Sequence, residues 1–76
     1  MEKLKLSVDD IRATTGESTP VIYDAIRQGD LETFLVGRRR FARPEKVRAW
    51  VDYLEAQSKA GKPVIYRPRS SERAAA

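Results

Sequence analysis

The sequence predicts a mainly α-helical domain in which three helices accompany one small two-stranded β-hairpin. Three observations predict this fold: two capped helix starts separated by a glycine turn, β-prone runs after Gly29, and a Pro-initiated apolar stripe in the second half of the chain. With 76 residues, the chain has room for a single small core. It contains no cysteine and no histidine, which excludes disulfides and the usual zinc sites, so aliphatic and aromatic residues must form that core.

The first two predicted helices are short and are joined by a tight turn. Ser7 is a good N-cap and is followed by two carboxylates in the first turn, where the helix dipole favours negative charge. This helix ends at Gly16. Ser18 caps the second helix, Pro20 lies in its first turn, and Gly29 ends it. Two short helices around such a turn are typical of a helix-turn-helix.

The remaining elements are the hairpin and the third helix. Segments 33–36 and 40–42 are rich in β-forming residues and flank Gly37 and two arginines, which predicts a hairpin with a basic tip. Pro44 opens the third helix, which runs to about Ser58. The predicted core consists of the apolar residues on the inner faces of all these elements: Val8, Ile11, Ile22, Ile26, Leu31, Phe34, Val36, Val47, Trp50, Val51 and Leu54.

The chain divides into a predicted domain, 1–58, and a basic C-terminal tail, 59–76. Within the tail, segment 64–66 is a candidate short strand and a candidate contact between neighbouring copies. The tail either lies along the phosphates of a nucleic acid or is an unstructured solubilising end, and its sequence fits both interpretations equally.

Charge is distributed unevenly along the chain. Residues 1–35 carry four Lys and Arg against seven Asp and Glu, whereas residues 36–76 carry eleven against four. A polyanionic partner is therefore expected to meet mainly the second half of the chain. The sequence shows neither an apolar run long enough to span a membrane nor a secretory signal, so we expect a cytoplasmic protein. Nothing indicates a catalytic residue, a metal site, a cofactor or a small-molecule substrate, because nucleophile–base pairs and Gly-rich phosphate loops are both missing.

The order of these elements resembles the excisionase-type winged helix-turn-helix domain, a relative of the MerR family's DNA-binding domain. The resemblance covers about residues 6–54. It rests on Leu6-Ser7-Val8-Asp9-Asp10, on Ser18 with Val21-Ile22-Tyr23, on Ile26-Arg27-Gln28-Gly29-Asp30-Leu31, on Val36-Gly37-Arg38-Arg39, and on Pro44-Glu45 with Ala49-Trp50. It departs from the family at Thr14-Thr15, where a Leu pair is usual, and at Pro20 and Asp24, where serine and arginine are more frequent.

This resemblance implies binding to double-stranded DNA. The second helix would lie in the major groove and the wing in the adjacent minor groove. The family's excisionases self-associate cooperatively on tandem sites, bend attachment-site DNA, and direct a phage integrase toward excision in a bacterial host. Such a role implies a cytoplasmic protein that acts as a recombination directionality factor.

The candidate DNA-binding residues fall into three groups. The major-groove candidates are the outward-facing residues of the second helix: Thr19, Pro20, Tyr23, Asp24 and Arg27. The wing candidates are Gly37, Arg38, Arg39 and Arg40. Further candidate phosphate contacts are Ser18, Arg43, Lys59 and Lys62. Among the first group, Asp24 is expected to accept a hydrogen bond from a cytosine amino group or to limit how deeply the helix docks.

Each group has an alternative interpretation. The outer face of the second helix and the arginine run are also compatible with solvated surfaces, and Tyr23 is equally compatible with a half-buried core position. At the level of function, the alternatives are a small transcriptional regulator that binds an operator, and a protein-interaction adaptor whose basic tail docks on an acidic partner.

Overall fold

The computed structural model describes residues 3–66, which form three helices and a small three-stranded antiparallel sheet. The elements in chain order are β1 (Leu6–Ser7), α1 (Val8–Thr15), α2 (Thr19–Gln28), β2 (Phe34–Val36), β3 (Arg39–Ala42) and α3 (Pro44–Lys59). None of the helices in this range is both long and apolar enough to cross a membrane. Residues 67–76, which make up most of the predicted tail, lie outside the described part.

The first two helices begin and end where local sequence chemistry predicts. The Ser7 side chain accepts a hydrogen bond from the Asp10 backbone N–H, and the Asp10 carboxylate accepts one from the Ser7 N–H, each at 3.1 Å. Ser18 caps α2 in the same manner, with its hydroxyl accepting from the Val21 N–H at 3.5 Å. Gly29 ends α2 with φ of 85°, a left-handed conformation that glycine adopts without a Cβ clash.

The sheet has three strands instead of the two that the sequence predicts. Its order is β1-β3-β2, and β1 pairs Leu6 with Ala42 and Ser7 with Phe41. A strand of two residues is too short to show alternating periodicity, so β1 leaves no pattern in the sequence. The β2–β3 connection is a two-residue turn in which Gly37 has φ of 62°, as the first central position of a type II′ turn requires.

The core lies between the helices and the inner face of the sheet. Its fully buried large side chains are Trp50, Ile11, Ile22 and Leu31. Ala25, Ala42 and Val47 complete the buried cluster, and Leu6, Val8, Ile26, Leu54 and Tyr66 pack against it half-buried.

Three residues expected in the core are exposed instead. Phe34 is 38%, Val36 52% and Val51 43% exposed. The first two lie on β2, which is an edge strand and pairs only with β3 among the described residues. Val51 lies at the side of α3, where it borders an open surface depression shared with Thr14 and Thr15. The prediction of a core position was therefore wrong for these three residues.

The segment that follows α3 returns to the domain but forms no strand, which corrects the expectation for 64–66. Tyr66 packs beside Trp50, with ring centroids 6.3 Å apart. Its hydroxyl accepts a hydrogen bond from Trp50 Nε1 at 2.9 Å and donates one to Asp30 Oδ2 at 2.8 Å. Desolvation, followed by the contact with Asp30, raises the pKa of Tyr66 well above its ordinary value, so the hydroxyl keeps its proton.

Candidate nucleic-acid interface

An open groove of about 310 Å³ lies between the N-terminal half of α2 and the tip of the β2–β3 hairpin. We call it the α2–hairpin groove. Three elements that are separate in sequence line it: the junction of β1 with α1, the start of α2, and the hairpin tip. The lining residues are Ser7, Val8, Asp9, Thr19, Tyr23, Arg38, Arg39 and Arg40.

The hairpin supplies the positive charge of the groove. Arg38 and Arg39 are exposed, and no ion pair among residues 3–66 involves either of them or Arg40. Arg40 is held in place by a 2.6 Å hydrogen bond from its Nη1 to Thr33 Oγ1. The Arg39 guanidinium lies 5.5 Å from the centroid of the Phe41 ring, within range of a cation–π contact. The hairpin therefore presents three guanidinium groups that form no ion pair with any carboxylate of the described residues.

The start of α2 supplies the other wall of the groove. Thr19 is half-buried there, and Tyr23 is 43% exposed, which places the tyrosine on the surface and leaves its hydroxyl available to a ligand. Pro20 and Arg27 are also exposed, but neither lines the groove. The structure thus brings two of the five α2 candidates together with the hairpin arginines.

Asp24 does not face outward as the sequence analysis expects. It is only 3% exposed, and its carboxylate forms an ion pair with the guanidinium of Arg27. Successive helical residues are about 100° apart, which places Asp24 between exposed Arg27 and buried Ala25 at the edge of the inner face. A buried carboxylate is stable only when it is paired, and Arg27 supplies that pairing. Asp24 is therefore a buried structural residue rather than a groove-facing one.

The remaining phosphate candidates lie elsewhere on the surface. The Ser18 hydroxyl serves the N-cap of α2. Arg43 forms an ion pair with Glu45 at 3.6 Å, and Lys59 with Glu55 at 3.2 Å. Lys62 is exposed beyond the end of α3. None of the four lines the α2–hairpin groove.

Three groove residues were not among the candidate DNA-binding residues of the sequence analysis. Ser7, Val8 and Asp9 reach the groove because β1 pairs with β3, which brings the start of α1 beside the hairpin. In the sequence, Ser7 and Asp9 indicate a helix start and Val8 indicates a core position, so none of the three predicts a binding site. Lys5 is a further basic neighbour, since its Nζ lies 4.0 Å from the centroid of the Phe41 ring.

In chemical terms, the groove is suited to an extended anionic strand. It combines guanidinium groups that form no ion pair within residues 3–66 with a tyrosine and a threonine that can hydrogen-bond phosphate oxygens. Within residues 3–66, no cluster of acidic side chains is arranged to hold a metal ion. Comparison of the chain with protein-family models, with curated proteins and with solved structures gave no significant match.

Proposed function

We propose that this protein binds double-stranded DNA as a winged helix-turn-helix domain. In this arrangement α2 enters the major groove, and the β2–β3 hairpin is the wing that contacts the adjacent minor groove. The observation that carries the proposal is the α2–hairpin groove, which places Thr19 and Tyr23 opposite three arginines that form no ion pair within residues 3–66.

The shape of duplex DNA matches this arrangement. The major groove admits an α-helix, and a phosphate strand separates it from the minor groove. A protein that places a helix in one groove and a hairpin tip in the next must therefore pass the phosphate strand between them. The α2–hairpin groove is the space where that strand would lie. Arginine at the tip is favoured by the negative potential of a narrow minor groove.

The test is the double variant Arg38→Ala, Arg39→Ala, whose binding to a random-sequence duplex is measured by fluorescence anisotropy over a series of salt concentrations. We expect weaker binding at low salt and a salt slope that is shallower by about 2, because each lost phosphate contact removes about 0.9 from the slope.

The matched control is Arg12→Ala, Lys46→Ala, which removes the same charge from exposed positions outside the groove. It should leave the salt slope nearly unchanged. If the two double variants bind with equal affinity and equal slope, the DNA-binding surface is not the α2–hairpin groove. An unchanged affinity in the Arg38→Ala, Arg39→Ala variant would favour the adaptor function.

Within DNA binding, the resemblance to excisionases supports a role in phage recombination. We propose that several copies bind tandem sites cooperatively, bend attachment-site DNA and direct an integrase toward excision in the cytoplasm of a bacterial host. A domain of this size makes few base contacts, so several adjacent copies would be needed for specificity. An excision assay with the integrase, run beside a promoter reporter that carries the same site, separates this role from transcriptional regulation.

A further inference from the structure

Phe41 is buried on the face of the sheet that lies opposite the core. Its neighbours Leu6 and Ala42 form a cross-strand pair whose side chains pack in the core. Side chains alternate along a strand, so the next pair, Ser7 with Phe41, points to the other face. Phe41 is nevertheless only 7% exposed. Other side chains on this face therefore cover its ring.

Two cationic side chains supply part of this cover. The Nζ of Lys5 lies 4.0 Å from the centroid of the Phe41 ring, and the guanidinium carbon of Arg39 lies 5.5 Å from it. Both distances are within the range of a cation–π contact. Lys5 precedes β1 and Arg39 begins β3, so the pairing of these strands brings together two charges that are distant in sequence.

Neither charge is paired with an acid among residues 3–66. Lys5 and Arg39 are both exposed, and neither forms an ion pair in this range. Asp9 lines the α2–hairpin groove with Arg39 but forms no ion pair with it. The carboxylate of Asp10 binds Lys3 instead. Two like charges beside one ring repel each other, so an anion that contacts both is stabilised.

We infer that Lys5 and Arg39 form a second phosphate site, which binds the sugar–phosphate backbone of DNA beyond the α2–hairpin groove. Arg39 lines that groove as well, so the second phosphate site is continuous with it. The contact with DNA then extends from the hairpin to the segment that enters β1. The inference rests on the proposed DNA binding, because the phosphate belongs to the same duplex.

The Phe41 ring prepares both cations for this contact. A lysine or arginine side chain in solvent loses rotational freedom when it binds a phosphate, and this loss weakens binding. Lys5 and Arg39 already lie against the ring in the protein without DNA, so less freedom remains to be lost. The long aliphatic stems cover the ring while the charged ends remain at the surface.

The test is the variant Lys5→Met, which removes the charge but keeps an unbranched apolar chain against the ring. Binding to a random-sequence duplex is measured by fluorescence anisotropy over a series of salt concentrations. The salt slope should become shallower by about 0.9, because one phosphate contact is lost. The parent should therefore bind more tightly, and this advantage should shrink about threefold between roughly 50 mM and 200 mM salt. Lys5→Arg keeps the charge and should keep the parental slope.

The matched control is Lys46→Met, which removes an exposed lysine of α3 outside the α2–hairpin groove. It should leave the salt slope nearly unchanged, and circular dichroism verifies that each variant is folded. Equal changes in Lys5→Met and Lys46→Met would attribute the effect to net charge and would overturn the inference. A Lys5→Arg variant with the shallow slope of Lys5→Met would also overturn it.

A proximity measurement uses the lack of native cysteine. Lys5→Cys and Lys46→Cys each carry an iron chelate that generates hydroxyl radicals, and cleavage of the bound duplex is measured. We expect cleavage from position 5 well above that from position 46, and equal cleavage would contradict the second phosphate site.

The result also separates this inference from the proposal on which it rests. If Arg38→Ala, Arg39→Ala weakens binding while Lys5→Met keeps the parental slope, DNA binding stands and the second phosphate site is wrong. If the parent chain does not bind duplex DNA at low salt, both are wrong.

Discussion

At the scale of single residues, Tyr66 shows how one side chain from outside the predicted domain packs against the core. The predicted domain ends at residue 58, yet Tyr66 lies against Trp50 and connects it to Asp30 through two hydrogen bonds. The sequence offers no periodicity around position 66 that would indicate this packing. The contact depends on the chain reversing after α3, which is a tertiary event.

Replacing Tyr66 by phenylalanine should lower the free energy of unfolding by about 1–3 kcal/mol, because the indole N–H of Trp50 loses its acceptor in a buried site. The measurement is urea unfolding followed by the fluorescence of the single tryptophan. Tyr53→Phe is the matched control, since Tyr53 is 41% exposed and should change stability by less than about 0.5 kcal/mol. Equal unfolding midpoints for the two variants would contradict a structural role for the Tyr66 hydroxyl.

Asp24 illustrates the opposite case, in which a charged residue that is expected at the surface is buried. Polarity alone predicts an outward position for a residue on the shoulder of an amphipathic helix. Its burial follows from the arrangement around α2 and from the ion pair with Arg27. A helical projection places Asp24 at the boundary between the buried and exposed faces of α2. The projection alone therefore does not predict whether Asp24 is buried or exposed.

At the scale of secondary-structure elements, the start of α1 is a compact electrostatic unit. Lys3 Nζ lies 3.0 Å from each carboxylate oxygen of Asp10, which also accepts the Ser7 N–H. The hydrogen bond from Lys3, followed by that from the Ser7 backbone, holds the pKa of Asp10 below its ordinary value of 3.8. A carboxyl whose pKa is depressed by folding stabilises the folded state above its unfolded pKa. That contribution is lost as the pH falls through the folded pKa.

The variant Asp10→Asn should therefore unfold at a lower temperature than the parent at neutral pH. The difference should shrink as the pH falls from the ordinary pKa of 3.8 through the lower pKa of the folded protein, where the parent carboxylate becomes protonated as well. Thermal unfolding followed by circular dichroism across this range measures the effect. Asp52→Asn serves as the control, because it removes an exposed carboxylate of α3 that lies outside this cluster. A constant difference between Asp10→Asn and the parent would show that the charge of Asp10 does not stabilise α1.

The helices and strands differ in how well the local sequence predicts their presence and their boundaries. The boundaries of α1, α2 and α3 follow from Ser7, Ser18, Pro44 and the terminating glycines, because caps and turns are local chemistry. The hairpin follows from Gly37 and the β-prone runs beside it. The local sequence does not predict β1, because its two residues form a strand only by pairing with β3. The exposure of β2 likewise depends on where the sheet ends.

At the scale of the whole molecule, part of the positive charge of the chain is concentrated at one surface, the α2–hairpin groove. The arginine run at residues 38–40 is recognisable from sequence as basic. The fold places this run beside Thr19 and Tyr23. The fold also leaves the three arginines without an ion pair among residues 3–66. About half of the candidate site was therefore predictable as residue types, while its assembly into one groove was not.

Local sequence accounts for the helix boundaries, the position of the hairpin and the concentration of positive charge in the second half of the chain. These depend on interactions between residues a few positions apart, such as N-caps, left-handed glycines and runs of like charge. The burial of Asp24 and the presence of a third strand depend on the folded arrangement. The same holds for the packing of Tyr66 and for the proximity of α2 to the hairpin arginines. Those features require contacts between distant segments, because burial and pairing depend on which surface each residue meets once the chain has folded.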